Sequence, residues 1–142
     1  MPQLSNQESR GFTHVYKLTY TDVVALGTAV KSIAKIPAGG IVTNAAFVVN
    51  TAAVGPSDLT VGVGSSSSDP TDFIIKTTDV DGLTKVTFNT GTALDTEPGY
   101  LNNTASAVDV YLKFGGTTST LTAGEWLVAL TILDPAGLAN NA

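Results

Sequence analysis

Few side chains in this 142-residue chain are of types that do chemistry. There is no cysteine, so no disulfide framework and no thiolate metal site can form. His14 is the only histidine, which excludes a histidine-rich metal centre and leaves a single candidate general base. Its alternate neighbours are Phe12, Tyr16 and Leu18, the company of a histidine on the apolar side of a strand. Catalysis from that position needs an orienting carboxylate and an activated nucleophile. No nucleophile-elbow motif is present, and the expectation is a protein that is not an enzyme.

Three further segments invite a chemical reading. Asp79-Val80-Asp81-Gly82 opens like a Ca²⁺ loop, which then requires a third ligand two residues on and a distal glutamate. Leu83, Thr84, Val86, Thr87 and Phe88 fill those places, so an Asp-Gly turn is expected, with Asp69 and Asp72 joining a cluster only if the fold brings them near. Gly62-Val63-Gly64 followed by Ser65 to Ser68 is rich in glycine and serine. A phosphate cradle needs a following helix and usually a lysine, and Pro70 stands against the helix. The aromatics Tyr16, Tyr20, Tyr100, Tyr111 and Trp126 are the material of a sugar-stacking platform; Trp126 alternates with Val128 and Leu130 and is assigned to the core or an interface. Tyr100, after Pro98-Gly99, is the aromatic expected to be most exposed, with Asp95 and Glu97 beside it. Asn102-Asn103-Thr104 is a glycosylation sequon, with no secretory signal to give it weight. No cofactor and no metal is expected.

The elements that would hold these residues are strands. The chain has 21 Thr, 10 Ser and 14 Gly against three Glu and six Lys. Threonine and valine suit a pleated half-buried surface, and Gly, Asn, Asp and Ser suit the turns between such surfaces. Charged residues make up 13%, about half the usual ~25% of a free-standing domain, a composition compatible with burial against partner chains. The net charge of −5, with seven scattered Lys and Arg, argues against nucleic-acid binding, which depends on cations neutralising phosphates. The longest apolar run, over 126–133, is far short of the ~20 residues of a membrane span. The polar start, Met1 to Arg10, has no apolar core and is not expected to be a signal peptide.

Period-two alternation predicts a first strand over 12–20, with Phe12, His14, Tyr16, Leu18 and Tyr20 sharing a face. Thr21-Asp22 then offers a cap for a short helical stretch over 23–26, broken by Gly27. A second strand over 29–36 puts Val30, Ser32, Ala34 and Ile36 on one face, and Pro37-Ala38-Gly39-Gly40 is a turn. The run over 41–51 is apolar enough for a central strand covered on both faces. Strands are expected over 59–64, 83–88, 107–114 and 125–133, with 73–76 either a short strand or the end of a helical turn, a polar connection over 77–82 and a loop over 91–103 anchored by Tyr100-Leu101. Seven or eight strands at this spacing, with no long helix, predict an all-β, single-domain, jelly-roll-like β-sandwich over 12–134. Residues 1–11 form an expected N-terminal arm and 135–142 a C-terminal tail.

The order of segments carries a resemblance. Thr19-Tyr20-Thr21-Asp22, then Ile36-Pro37-Ala38-Gly39-Gly40-Ile41-Val42, then Leu59-Thr60-Val61-Gly62-Val63-Gly64 leading through Asp69 and Asp72 to Phe73 form the first part. Tyr100-Leu101-Asn102-Asn103-Thr104-Ala105 and Leu121-Thr122-Ala123-Gly124 through Val128, Leu130 and Asp134 complete it. This sequence of five pieces over 18–134 resembles small phage structural proteins with a jelly-roll-like fold, of the capsid decoration, cement or head-fibre type. The resemblance implies a virion component on the capsid surface, a homotrimer that stabilises the head by binding across boundaries between major capsid proteins. Such a protein needs complementary surface on a symmetric oligomer rather than an active site, and extended termini add contact area. Pro2, Gln3, Leu4, Asn6, Arg10, Pro135 and Leu138 are the expected partner contacts. The alternative is a tail or head-fibre module recognising a host-surface glycan through Tyr100, Asp95 and Glu97.

Overall fold

The computed structural model describes residues 12–70, 73–80, 86–88, 90–95 and 99–135. The expected arm over 1–11 and most of the tail over 135–142 lie outside them. The described residues form nine strands and two short helices: β1 (His14–Thr19), α1 (Tyr20–Leu26), β2 (Val30–Ile36), β3 (Ile41–Val54), β4 (Thr60–Gly64), β5 (Ile75–Asp79), β6 (Val86–Phe88), α2 (Thr92–Asp95), β7 (Tyr100–Leu101), β8 (Val108–Gly115) and β9 (Ala123–Leu133).

The strands build two antiparallel sheets. In one, here the β9 sheet, the order is β1-β9-β3-β6, with β7 also pairing with one end of β3. In the other, the β8 sheet, it is β2-β8-β4-β5. Successive strands alternate between the sheets except at the β4–β5 hairpin and from β6 to β7, and the first and last strands are neighbours. This is the jelly-roll-like β-sandwich that the strand spacing predicts.

Alternation decides which side chains fill the space between the sheets. Leu18, Trp126 and Val49 lie in one row of the β9 sheet; Tyr16, Val128 and Phe47 lie in the next. Val110, Leu112 and Phe114 of β8 face them, with Val61 and Val63 of β4. Phe114 meets Trp126 edge-on at 5.6 Å and Phe47 at 6.4 Å, the T-shaped arrangement that ring quadrupoles favour. Trp126, Val128, Leu130 and Ile132 share the inner face as expected.

Several local expectations are corrected. Helix α1 begins at Tyr20, so β1 is shorter than 12–20 and the cap is Thr19 rather than Thr21-Asp22. The Asp22 carboxylate accepts from the Thr19 backbone N–H at 2.9 Å and from its hydroxyl at 3.0 Å, three residues back as in a capping box. In β2 a bulge at Ile33 switches faces: Ser32 pairs with Tyr111 on the outside, whereas Ala34 pairs with buried Val110 inside. The common face expected for Val30, Ser32, Ala34 and Ile36 is therefore split. Part of the polar stretch over 77–82 is strand, because Thr78 pairs with Val61 and Asp79 with Thr60. The loop over 91–103 contains α2 and β7. Strand β3 is central, but only its inner face is covered by the second sheet; Ile41 and Val48 on its other face remain half-exposed.

Candidate partner-contact surfaces

His14 lies at the open end of its strand row, opposite Leu130, and is exposed. Its Nδ1 is 2.8 Å from the Thr13 hydroxyl, which also accepts from the Ile132 N–H at 2.9 Å. Desolvation of the ring holds its pKa below the ordinary value of 6.5. Among the described residues its hydrogen-bonding neighbour is thus Thr13, just before β1, rather than a carboxylate. Among the described residues no three His, Asp or Glu side chains gather to hold a metal ion. Asp79 is on β5, and Asp72 and Asp81 lie outside the described residues.

The aromatics are placed differently from the expectation. Tyr100 pairs with Val42 on the inner side, and its ring meets Phe73 edge-on at 5.1 Å, so it is half-buried rather than exposed. Glu97 lies outside the described residues, as does the side chain of Asp95. Trp126 is fully buried. A shallow pocket of about 300 Å³ is lined by Tyr16, Asp22, Ala25, Leu26 and Lys31. It combines a ring, a carboxylate and an ammonium, with Lys31 Nζ standing 6.0 Å over the Tyr16 ring. The Asp22 carboxylate is engaged by Thr19, whose N–H lowers its pKa.

Asn102, the first residue of the sequon, is fully buried. Its Nδ2 donates to the carbonyls of Ile36, Pro37 and Ser106 at 3.0, 3.1 and 2.9 Å. Its Oδ1 accepts from the Thr104 N–H at 3.1 Å and from the Thr104 hydroxyl at 2.7 Å. Its backbone exchanges bonds with the Pro37–Gly40 turn: Gly39 N–H donates to Asn102 O at 2.8 Å, and Asn102 N–H to Gly40 O at 2.9 Å. The side chain is an internal bracket, closed to glycosylation, that fixes the loop after β7 to the turn between β2 and β3.

The two outer faces differ in chemistry. On the β8 sheet, Asp109 accepts from Lys35 at 3.1 Å, from the Ser32 hydroxyl at 3.0 Å and from the Tyr111 hydroxyl at 3.2 Å. The Lys35 and Ser32 bonds hold the Asp109 pKa below the usual carboxylate value. Lys113, Thr60 and Asp79 continue this polar surface. On the β9 sheet, the outward row Val15–Ala129–Ala46 and the next, Lys17–Leu127–Val48, are apolar except for Lys17. Ala46 and Ala129 are themselves buried, the next outward row, Thr131–Asn44, is polar, and a last one, Leu133–Ile41–Leu101, lies at the end of the sheet where β9 finishes. The ionic group near the opposite end is self-contained: Lys17 Nζ lies 2.6 Å from Glu125, which also accepts from Asn50. Both contacts lower the Glu125 pKa, Lys17 the more. Among the described residues, the large apolar ones that stand exposed are Tyr20 and Val24 on α1, Val54 on β3, Leu101 on β7 and Leu133 on β9; none of these is on a strand of the β8 sheet. Sequence reading did not single out this face. Its signal was present in the outward positions of β3 and β9, where Ala46, Val48, Leu127 and Ala129 stand in place of polar residues.

Of the expected partner contacts, Pro135 is described and exposed; Pro2, Gln3, Leu4, Asn6, Arg10 and Leu138 lie outside the described residues. Pro135 follows Leu133 closely, so the chain leaves the sandwich beside the Leu133–Ile41–Leu101 row. Phe12 precedes β1 at the same end, since His14 pairs with Leu130.

No family model matches the chain, and no curated protein matches it. Among solved structures, the fold is similar to that of a chain in the acidic stable capsid structure of Helicobacter pylori bacteriophage KHP30. The TM-score is 0.60 at 14% identity, with 86% of each chain covered. At that identity the likeness is one of fold.

Proposed function

We propose that this chain is a structural virion protein: a non-enzymatic decoration or cement subunit, a homotrimer on the capsid surface, that stabilises a phage head by binding across boundaries between major capsid proteins. The observation that carries the reading is the fold likeness to a chain of a phage capsid over 86% of both chains. The order of sequence segments, the low charge and the unequal outer faces support it. A polar, ion-paired outer surface on one sheet suits solvent, and an apolar one on the other suits burial. The mechanism is mechanical. Each subunit adds buried area between neighbouring shell proteins and raises the barrier to their separation. The arm, through Pro2, Gln3, Leu4, Asn6 and Arg10, and the tail, through Pro135 and Leu138, extend that contact beyond the sandwich and act as additional tethered binding segments.

Co-sedimentation with empty shells of the encoding phage tests the arm's part. Deletion of residues 1–11 is expected to weaken binding about tenfold or more, the loss of a tethered second contact, while the circular dichroism spectrum and melting midpoint are unchanged. Undiminished binding, or a chain that no longer folds, would contradict it.

A further inference from the structure

We infer that the apolar row Leu133–Ile41–Leu101 is the anchor by which the sandwich seats on the capsid shell, against an apolar patch of a shell protein. The inference deepens the proposed function and rests on it, naming the end of the sandwich that meets the shell.

Among the described residues, the exposed large apolar side chains fall at the two ends of the β9 sheet. Tyr20 and Val24 follow β1 at the end where Thr19 pairs with Glu125, and Val54 pairs with Ala123 at that same end. Leu133 and Leu101 stand at the opposite end, on either side of half-exposed Ile41. Three neighbouring strands thus present one outward apolar side chain each, across a width of about 10 Å at ~4.8 Å per strand. The polar pair Thr131–Asn44 bounds the row on its inner side.

The exits of the chain decide between the two ends. Residues 1–11 precede Phe12 and residues 136–142 follow Pro135. Both exits lie at the Leu133 end, because His14 pairs with Leu130 and Pro135 comes just after the end of β9. The arm and the tail are the proposed tethers to the shell, so whatever they hold is brought against this row and not against α1. A contact flanked by two tethers gains from their effective concentration and needs little area of its own.

The row is also held in place. Leu101 is 52% exposed, yet its two-residue strand is fastened on both sides. After it, Asn102 N–H donates to Gly40 O, Gly39 N–H donates to Asn102 O, and the buried Asn102 amide donates to the Pro37 carbonyl. Before it, Gly99 lets β7 lie close on β3, where a Cβ would stand 2.7 Å from the Val42 carbonyl oxygen. A leucine shown to solvent from a fastened strand has little freedom left to lose on docking.

The test is co-sedimentation of the full chain with empty shells of the encoding phage prepared without it. The row variants are the pair Leu101→Asp and Leu133→Asp, and Leu101→Lys alone, which keeps the fold even where the pair does not. The control pair, Val24→Asp and Val54→Asp, changes residues of similar exposure at the other end. Both row variants are expected to bind shells about tenfold more weakly or worse, the scale of one leucine left unburied. The control is expected to bind like the native chain, with circular dichroism and solution mass unchanged throughout. Folded row variants that bind like the native chain, or a control that loses as much, would overturn the inference and leave the virion reading standing. Row variants of lower solution mass than the native chain would overturn it too, since the occupant would then be a second copy. A native chain that binds no shell would sink the virion reading and this inference with it.

Discussion

Replacing Asn102 with alanine is expected to lower the unfolding free energy by about 3 kcal/mol or more, the largest effect of any polar substitution in the chain. The side chain is wholly buried and meets three carbonyls, one N–H and one hydroxyl. Truncation leaves several of these groups without a partner and away from water, at about 1–3 kcal/mol each where water cannot replace the amide. A domain of this size then melts about 10 °C lower. Thr104→Val, which removes only the hydroxyl, is expected to cost about a third as much, because that hydroxyl donates within its own loop to Asn102 and Ser106. A melting midpoint for Asn102→Ala within 2–3 °C of native, where ~1 kcal/mol would show, would mean that the bracket is dispensable.

Trp126→Ala is the second large loss expected, about 3–5 kcal/mol. Trp126 is the largest fully buried side chain and stands between the two sheets, against Phe114. Its indole N–H reaches the Val80 carbonyl at 3.4 Å, tying the end of β5 to β9. Gly124 is part of the same arrangement. Its φ of +146° is disfavoured for other residues, and a Cβ there would stand 2.5 Å from the indole. Gly124→Ala is thus expected to destabilise in the same direction, and the two losses to be non-additive because they disturb one contact. Urea unfolding followed by far-ultraviolet circular dichroism measures both, since the only tryptophan is itself removed. A midpoint shift for Trp126→Ala worth under about 1 kcal/mol would place the packing centre elsewhere.

Much of the fold was legible where alternation is unbroken. In β8, Val110, Leu112 and Phe114 alternate with Asp109, Tyr111 and Lys113; in β9 the large inner residues Trp126, Val128, Leu130 and Ile132 recur at every second position, and both strands lie where the period places them. Where a bulge intervenes, the period misleads: the extra residue at Ile33 reverses the facing of Ser32 relative to Ala34. The second half of β5 was hidden because an edge strand with one outward face tolerates Thr77 and Asp79, which read as a connection. Asn102 was hidden for a different reason. Asparagine in a loop ordinarily faces water, and only the three-dimensional convergence of the Pro37 turn with the loop after β7 shows that it cannot. The apolar run of β3 was visible, and at its centre Ala45, Ala46 and Phe47 are all buried, whereas Ile41 and Val48 on the outer face stay half-exposed.

The central claim, that this chain is a structural part of a phage head, is tested most directly by quantitative mass spectrometry of purified particles of the encoding phage. The chain is expected in a fixed ratio to the major capsid protein, retained after tails are removed. Absence from the particles, or a handful of copies that leave with the tail, would contradict it.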